Sequence, residues 1–294
     1  MIFATIETPP AKPTPALVSN GRVHPLPFVD MHEVIQVGAH EAAQHKSEAS
    51  FAKDEVRFLA PLKPTNLRDA YAFEHHVHTA SQNRGRDVPK EWYQFPVFYY
   101  TNPNSIFGSG DEIPYPHYTE ALDFELEIAV VIGKPGINIK PEDAPSHIFG
   151  YTIFNDWSAR DVQRAEMKAG LGPAKGKDFA SSLGPVIVTS EAFADRAENR
   201  PGVYDLNMSA RVNGVEISKG NFRDIYWSFG EIIARASDTC ELKAGDVIGS
   251  GTVGTGCLLE LTKAQGPWLS AGDLVELEIE RIGILKNTVG RKRI

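Results

Sequence analysis

Acidic residues alternate with apolar ones in a short stretch near the middle of the chain. Residues 122–133 read LDFELEIAVVIG, and the acidic members of this run are Asp123, Glu125 and Glu127. Successive side chains of a β-strand point to opposite faces, so the alternation predicts a strand with its carboxylates on one face. No Lys or Arg is interleaved among these acids. If they are buried together, a cation is needed to offset their mutual repulsion.

A further acidic residue, Asp156, follows a second strand-like run. This run, residues 148–155 (IFGYTIFN), is aromatic and β-branched, which is typical of a buried strand with Asp156 at its carboxyl end. A solvated acidic face is the simpler interpretation, since antiparallel sheets commonly expose one side to water. The first run continues into uninterrupted apolar residues, however, which favours burial. Together the two runs predict a carboxylate site for a hard cation, Mg²⁺ above all, with Mn²⁺ or Ca²⁺ as alternatives.

The composition excludes several classes of protein. The chain has 294 residues, enough to bury a sizeable core, and a formal net charge of -8, which disfavours nucleic acid as the main partner. No apolar run approaches the length needed to span a membrane. The two cysteines, Cys240 and Cys257, are too few for a disulfide framework or a zinc cage. Because the N-terminal sequence shows no export signal, we expect a protein of the reducing cytoplasm with no membrane partner.

The chain divides into a preface and a main body. Residues 1–60 are rich in proline and predict a small N-terminal unit packed on a larger catalytic domain formed by residues 61–294. Within the preface we expect short strands and a turn at Asn20-Gly21. A helix is predicted over residues 31–43, with Asp30 as its N-cap.

A cluster of histidines lies within residues 66–84, a segment without Gly or Pro that predicts a largely helical structure. The simplest interpretation of the cluster is a polar helix face. Zinc binding through His76 and His78 is disfavoured, because residues two apart do not share a helix face.

Three later segments carry polar residues that could join the carboxylates. Residues 158–169 predict a helix with Ser158 as its N-cap, on which Arg160, Gln163 and Arg164 could point back towards Asp156. In the Gly- and Pro-rich loop that follows, Lys175 and Lys177 are placed to bring a cation near the acidic pocket. Glu260 lies in the apolar run CLLEL, residues 257–261, which predicts a strand. There Glu260 is either an edge-facing residue or a buried carboxylate.

Four short motifs occur together in chain order. They are an Asp followed seven residues later by a His (Asp69, His76), a Glu-x-Glu strand (Glu125, Glu127), NDWSARD at 155–161, and Gly-Lys-x-Phe with small hydroxyl residues at 176–182. In this combination the chain resembles the fumarylacetoacetate hydrolase family over roughly residues 57–290. The pairing of NDWSARD with ELE is highly specific to that family.

The resemblance implies a fold and a set of site residues. Family members have an α+β, predominantly β fold, a mixed β-roll with short peripheral helices, and are usually homodimers. The implied metal ligands are Glu125, Glu127, Asp156 and Asp69. The implied catalytic residues are His76 as general base, Glu260 as the carboxylate that orients it, and Lys177 and Gln163 as oxyanion donors. The implied substrate contacts are Tyr71, Tyr99 and Thr252.

The activity implied by the resemblance is hydrolysis of a carbon–carbon bond in a 1,3-diketone acid. Fumarylacetoacetate and fumarylpyruvate, from the catabolism of aromatic compounds, are examples, and the Asp69 to His76 spacing favours the fumarylacetoacetase-like branch. Asn102 replaces a basic residue in the loop after Tyr99, so a distal carboxylate of the substrate would be held by other residues or be absent.

Other activities occur on the same fold. The alternatives are a 2-oxo acid isomerase of the 2-hydroxyhepta-2,4-diene-1,7-dioate type and an oxaloacetate decarboxylase. Retention of both His76 and Glu260 favours hydrolysis, because an isomerase needs no activated water. A zinc-dependent hydrolase is a further alternative. A non-catalytic binding protein is disfavoured, because none of the carboxylates is missing.

Overall fold

The computed structural model describes residues 1–8, 12–83 and 85–292. The first ten strands are β1 (Ile2–Thr8), β2 (Lys12–Ser19), β3 (Arg22–Pro25), β4 (Phe51–Ala52), β5 (Arg57–Phe58), β6 (Leu67–Ala70), β7 (Phe98–Tyr100), β8 (Ile106–Phe107), β9 (Glu112–Tyr115) and β10 (Leu122–Asp123). The later strands are β11 (Leu126–Ile132), β12 (Ile148–Asp156), β13 (Ser158–Ala159), β14 (Ser181–Val188), β15 (Asn207–Val212), β16 (Val215–Asn221), β17 (Val247–Gly249), β18 (Leu274–Ile279) and β19 (Gly283–Lys292).

Short helices lie between these strands. The α-helices are α1 (Met31–Val37), α2 (Ala39–Gln44), α3 (Glu74–Gln82), α4 (Arg160–Lys168), α5 (Phe229–Ser237) and α6 (Leu258–Leu261). The 3₁₀ helices are Lys53–Glu55, Lys90–Tyr93, Ala144–His147, Ser190–Arg196 and Phe222–Asp224. The predicted α+β, predominantly β class is therefore confirmed. Among the described residues, no helix is both long enough and apolar enough to cross a bilayer.

The larger sheet organises the molecule. Its strand order is β4-β3-β2-β1-β14-β12-β11-β17-β6-β7, with β5 added beside β1 and β8 beside β14. A second sheet has the order β16-β15-β18-β19-β9, and β10 pairs with β13 alone. The N-terminal strand β1 hydrogen-bonds to β14, so part of the preface continues the large sheet. The division of the chain at residue 60 stays a prediction.

Strand β11 is buried on both faces because both faces pack against apolar layers. Leu126, Ile128 and Val130 enter the larger hydrophobic core, whereas Ala129 and Val131 enter the smaller one. An uninterrupted apolar run suits a strand covered on both sides. The adjacent strand β12 confirms the prediction of a buried strand that ends at Asp156.

The acidic strand predicted over residues 122–133 is interrupted. The pairing of β10 ends at Asp123, and Phe124 and Glu125 lie outside any strand before β11 begins. At the break the Glu125 amide donates to Asn155 Oδ1 over 2.9 Å, so a side chain replaces a strand hydrogen bond. The regular alternation in the sequence gives no indication of this interruption.

Several local predictions are wrong for identifiable reasons. Residues 66–84, predicted as largely helical, contain strand β6 before α3 begins, and their last member, Arg84, lies outside the described residues. Strand β6 forms through pairing with β17 and β7, both distant in the chain. The predicted strand at 257–261 is instead the helical turn α6.

Two predicted helix starts differ in outcome. Asp30 is an N-cap, accepting from the Glu33 amide over 3.0 Å, although the predicted helix is divided at Gly38, whose φ of 93° ends α1. Ser158, in contrast, lies in β13 and donates to the Asp156 carbonyl, so it does not cap α4.

Candidate active site

Four buried carboxylates meet at the ends of the central strands. Asp69 lies on β6, Glu127 on β11, Glu125 just before β11, and Asp156 at the end of β12. One oxygen atom from each residue lies within 4.8 Å of the others. The structure thus brings together all four residues predicted as metal ligands; we call this group the acidic centre.

A glycine makes the approach of these strands possible. Strand β17 lies between β11 and β6, where its Gly249 pairs with both Ala129 and Asp69. An added Cβ at this position would lie 2.4 Å from Asp69 Oδ1. Because glycine has no side chain, β17 separates the two acidic strands without displacing the Asp69 carboxylate.

Burial and mutual repulsion disfavour the charged forms of three of these acids. The pKa of Asp69 is raised to about 8, first by burial and then by the nearby charge of Asp156. The pKa of Glu127 is raised well above its usual value by burial and by Asp69. Burial also raises the pKa of Asp156, with a further increase from Glu125. Without a bound cation, the environment of the acidic centre therefore favours protonated carboxyls, and Asp69 holds a proton at neutral pH.

Two buried basic residues compensate part of this negative charge. Lys177 Nζ lies 2.5 Å from both Glu125 Oε2 and Asp156 Oδ2, and Arg160 Nη2 lies 2.8 Å from Glu125 Oε1. Burial alone would raise the pKa of Glu125, but Lys177 and Arg160 outweigh it and hold that pKa below its usual value. Desolvation likewise opposes the charge of Lys177, yet the two carboxylates keep its pKa above the ordinary range. Lys177 is therefore a cation at neutral pH.

The donor set fits a divalent cation. Asp156 Oδ1 is buried without a hydrogen-bond partner among the described residues. The Gly251 amide donates to Asp69 Oδ1 over 3.1 Å and to Glu127 Oε2 over 3.0 Å, which orients both carboxylates. Four oxygen donors without nitrogen or sulfur suit a hard ion such as Mg²⁺, Mn²⁺ or Ca²⁺. These donors could hold such an ion, and its positive charge would favour the ionised form of the four carboxylates.

A buried histidine and carboxylate lie in hydrogen-bond contact on a second pair of elements. His76 on α3 and Glu260 on α6 are joined by a contact of 2.6 Å between Nδ1 and Oε1. Burial would raise the pKa of Glu260, but His76 and the Thr255 amide outweigh it and lower that pKa. Glu260 is thus an ionised partner that favours a proton on Nδ1 and leaves Nε2 as the basic nitrogen. The ring of Tyr71 packs edge-on against His76, with 5.3 Å between centroids.

Asp123 positions the Glu260 turn rather than joining the acidic centre. Its carboxylate accepts from the amides of Leu258 and Leu259, over 2.8 and 3.0 Å, and from Arg160 Nε over 2.8 Å. Asp123 therefore links the start of α6 to Arg160, which also contacts Glu125 of the acidic centre. Of the carboxylates expected to share one face, Glu125 and Glu127 converge and Asp123 does not, because the strand breaks after it.

The acidic centre and His76 open into one cavity of about 240 Å³. The predicted site residues in its wall are Asp69, Tyr71, His76, Tyr99, Glu125, Gln163, Lys177 and Thr252. The Tyr99 hydroxyl donates to Asp156, and Thr252 Oγ1 lies 3.4 Å from Glu127 Oε1. Thus all of the predicted substrate-contacting residues line the same cavity as His76.

Arg160 and Arg164 were both expected to point back towards Asp156 from helix α4. Arg160 instead contacts Asp123, Glu125 and Gln163, whereas Arg164 is exposed. The two predicted lysines also differ in the structure. Lys177 is buried, whereas Lys175 is exposed and pairs with Asp178.

The zinc alternative through two histidines is not supported by their positions. His76 is buried in the cavity wall, whereas His78 is exposed on α3. A second group of possible ligands, His76, Cys257 and Glu260, does lie within 4.8 Å. In that group His76 and Glu260 are already hydrogen-bonded to each other. Burial also raises the pKa of the Cys257 thiol, which disfavours the thiolate that zinc binds.

Comparisons with known proteins agree with this geometry. A family model described as fumarylacetoacetate (FAA) hydrolase C-terminal matches residues 65–290. The chain is 32% identical over 245 residues to oxaloacetate tautomerase YisK of Bacillus subtilis, covering 82% of this chain and 75% of that protein. It is 33% identical over 257 residues to a fumarylacetoacetase of Arabidopsis thaliana, covering 71% of this chain and 61% of that protein.

A solved structure extends the likeness over the whole chain. The fumarylacetoacetate hydrolase of the psychrophile Exiguobacterium antarcticum superposes with a TM-score of 0.80 at 27% identity, covering 99% of this chain and 100% of that chain. Fold, acidic centre and motifs therefore agree: this chain belongs to the fumarylacetoacetate hydrolase family.

Proposed function

We propose that this protein is a divalent-cation-dependent hydrolase that cleaves a carbon–carbon bond of a 1,3-diketone acid such as fumarylacetoacetate or fumarylpyruvate. The observation that carries the proposal is the contact between His76 and Glu260 in the same cavity as the acidic centre. Hydrolysis needs a base that removes a proton from water, next to a site that binds the two oxygens of the diketone. A cation held by the acidic centre would supply Lewis acidity toward those oxygens and the departing enolate.

His76 acts on the water in this scheme. Since its Nδ1 is bonded to Glu260, Nε2 accepts the proton from water as the water oxygen attacks the distal carbonyl carbon. The bond between that carbon and the central carbon then breaks, and its electron pair leaves with the enolate. The proton on Nε2 is returned to the product, which leaves two acids and a neutral His76.

Lys177 and Gln163 face the developing negative charge. Gln163 Oε1 accepts from Arg160 Nη1 over 3.1 Å, so its Nε2 is the end that is available to donate. Lys177 is a buried cation in the cavity wall. Donors placed in this way stabilise an oxyanion by roughly 3 to 4 kcal/mol each. Tyr71, Tyr99 and Thr252 form the wall that orients the rest of the substrate.

A second candidate is tautomerisation or isomerisation of a 2-oxo acid. The observation that favours it is the likeness to a protein named as an oxaloacetate tautomerase over 82% of this chain. Such a reaction, like a decarboxylation, uses the same stabilised enolate and moves a proton without consuming water. It needs a base but no activated water, and we favour hydrolysis because the ionised Glu260 beside His76 suits a base that activates water.

The test follows ultraviolet absorbance of fumarylacetoacetate, fumarylpyruvate and simple acylpyruvates with purified protein, in Mg²⁺ and in EDTA. We expect Mg²⁺-dependent loss of one compound with the formation of two acids. Interconversion of keto and enol forms without cleavage would contradict hydrolysis and favour the tautomerase. The proposal also includes a cytoplasmic homodimer in aromatic catabolism, for which light scattering should give twice the monomer mass.

A further inference from the structure

A second cavity of about 530 Å³ adjoins the active-site cavity. The two share the wall residues Arg160, Gln163 and Met167 of helix α4, together with Ala80 and Leu259. A molecule bound at the acidic centre can therefore extend into this second space. We call the second space the basic vestibule, because its outer wall carries Arg86, Arg164, Lys168 and Lys263.

The basic vestibule concentrates positive charge on an acidic protein. The whole chain has a formal net charge of -8, yet within the described part of the chain no Asp or Glu lines this cavity. Its four outer cations form no ion pair with any described residue. By contrast, Arg68, Arg211 and Arg281 each pair with a carboxylate.

Helix α4 supplies two of these cations at an unfavourable spacing. Arg160, Arg164 and Lys168 follow one another at intervals of four residues, so the helix places them on one face. Like charges at this spacing destabilise a helix. Arg160 is neutralised by Asp123 and Glu125, but Arg164 and Lys168 face the cavity unpaired. Their repulsion would be relieved by an anion bound in the vestibule.

We propose that the basic vestibule binds a second, distal carboxylate of the substrate, so that the enzyme selects extended diacids over monoacids. This inference rests on the proposed function and specifies its substrate class. From Arg160 to Arg164 and then to Lys168, helix α4 rises about 6 and 12 Å. The vestibule cations thus lie one and two helical turns farther out than the residue that contacts the acidic centre.

The test compares two probes that cannot undergo diketone hydrolysis. Calorimetry on the Mg²⁺-loaded full-length protein gives the dissociation constants of 2-oxoheptanedioate and of its 7-methyl ester, which differ in the distal charge. We expect wild-type protein to bind the diacid about tenfold more tightly, and this preference to weaken in high salt. The double variant Lys168→Gln/Lys263→Gln should reduce the preference to about twofold, with little change in the affinity for the ester.

The matched control is Lys46→Gln/Lys53→Gln, which removes two exposed lysines outside both cavities. It should keep the full preference. A role of Lys168 limited to the helix terminus would lower the melting temperature of its variant and leave the preference unchanged. Equal affinity of wild-type protein for the two probes, or a preference that survives the vestibule variant, would overturn the proposal.

The failure of this proposal is distinguishable from failure of the proposed function. Both variants are also assayed for cleavage of fumarylpyruvate. Cleavage by wild-type protein without any preference for the diacid probe would overturn only the role of the vestibule. A clear diacid preference without cleavage would overturn only the hydrolase.

Discussion

Two adjacent residues of β6 begin very different charged sites. Arg68 and Asp69 are both buried, and because they are neighbours in a strand their side chains point to opposite faces. Arg68 pairs with Asp246 over 3.4 Å and stacks on the ring of Tyr100, 4.9 Å from its centroid. Asp69 instead joins three other carboxylates. The first site is balanced by the protein alone, whereas the second is not.

The difference separates a structural use of buried charge from a functional one. Asp246 also accepts hydrogen bonds from Thr65 Oγ1 and the Lys243 amide, so protein groups pair with both oxygens of its carboxylate. In the acidic centre the partners Lys177 and Arg160 do not match four carboxylates. The excess negative charge, together with burial, raises the pKa of Asp69. A cation supplied from outside would complete the second site, while nothing external is needed for the first.

The largest expected effect on stability comes from breaking the balanced pair. Arg68→Met should reduce the free energy of unfolding by about 3–5 kcal/mol, because it leaves Asp246 buried without its counter-charge. Denaturant unfolding measures the change. The control Arg68→Met/Asp246→Leu removes both charges and should recover most of the loss. If the double variant is as unstable as the single one, the charge imbalance is not the cause.

The acidic centre should respond in the opposite way. Glu127→Gln should weaken Mg²⁺ binding by at least about 100-fold, since even outer-sphere partners of a metal contribute 10–100-fold. The stability of the metal-free protein should not fall, because burial and the nearby Asp69 raise the pKa of Glu127 and so favour its neutral carboxyl there. Calorimetry and thermal unfolding in EDTA measure the two quantities. The exposed Glu48→Gln serves as the control, and unchanged Mg²⁺ affinity in Glu127→Gln would refute the ligand assignment.

A smaller expected effect is a dependence on pH of Mg²⁺ binding at the acidic centre. Because the pKa of Asp69 is about 8 in the metal-free protein, that carboxyl is protonated at pH 7 and must release its proton when a cation binds. The Mg²⁺ affinity should therefore rise about tenfold per pH unit for each proton released, and the contribution of the Asp69 proton should end near pH 8. Titrations in buffers of different ionisation enthalpy count the protons. Binding that is independent of pH between 6 and 8 would contradict a protonated centre.

The same raised pKa has a consequence for folding. Between the usual Asp value of 3.8 and about 8, the folded metal-free protein holds a proton that the unfolded chain has lost. The stability of the metal-free protein should thus decrease as pH rises through this range. Saturating Mg²⁺ should reverse the trend, since the ion stabilises the ionised carboxylates. Thermal unfolding with and without Mg²⁺ at several pH values tests the sign.

The acidic residues were predictable because their signal is local. Glu127 alternates with apolar residues and Asp156 ends a strongly apolar run, so strand geometry places both at a buried edge, whereas Glu125 lies at the break before β11. The fold class and the roles attributed to His76 and Glu260 required the resemblance to a family. No local pattern relates two residues that are 184 positions apart in the chain.

The elements that were predicted wrongly depend on distant partners. β6 is only four residues long and forms because β17 and β7 offer hydrogen bonds on both sides. Likewise α6 is one helical turn whose first amides are held by Asp123, 135 residues earlier. The local sequence does not indicate contacts between residues so far apart in the chain. The basic vestibule was missed for the same reason, since α3, α4 and α6 meet only in three dimensions.

The most direct measurement of the central claim uses His76→Ala loaded with Mg²⁺. Its rate of fumarylpyruvate cleavage should fall by about 10²–10⁴, the range for loss of a general base, while its Mg²⁺ dissociation constant should match that of wild-type protein. His78→Ala, which removes an exposed histidine of the same helix, should change neither quantity. Retained cleavage in His76→Ala, or loss of its Mg²⁺ binding, would contradict the assignment of His76 as the base beside a separate cation site.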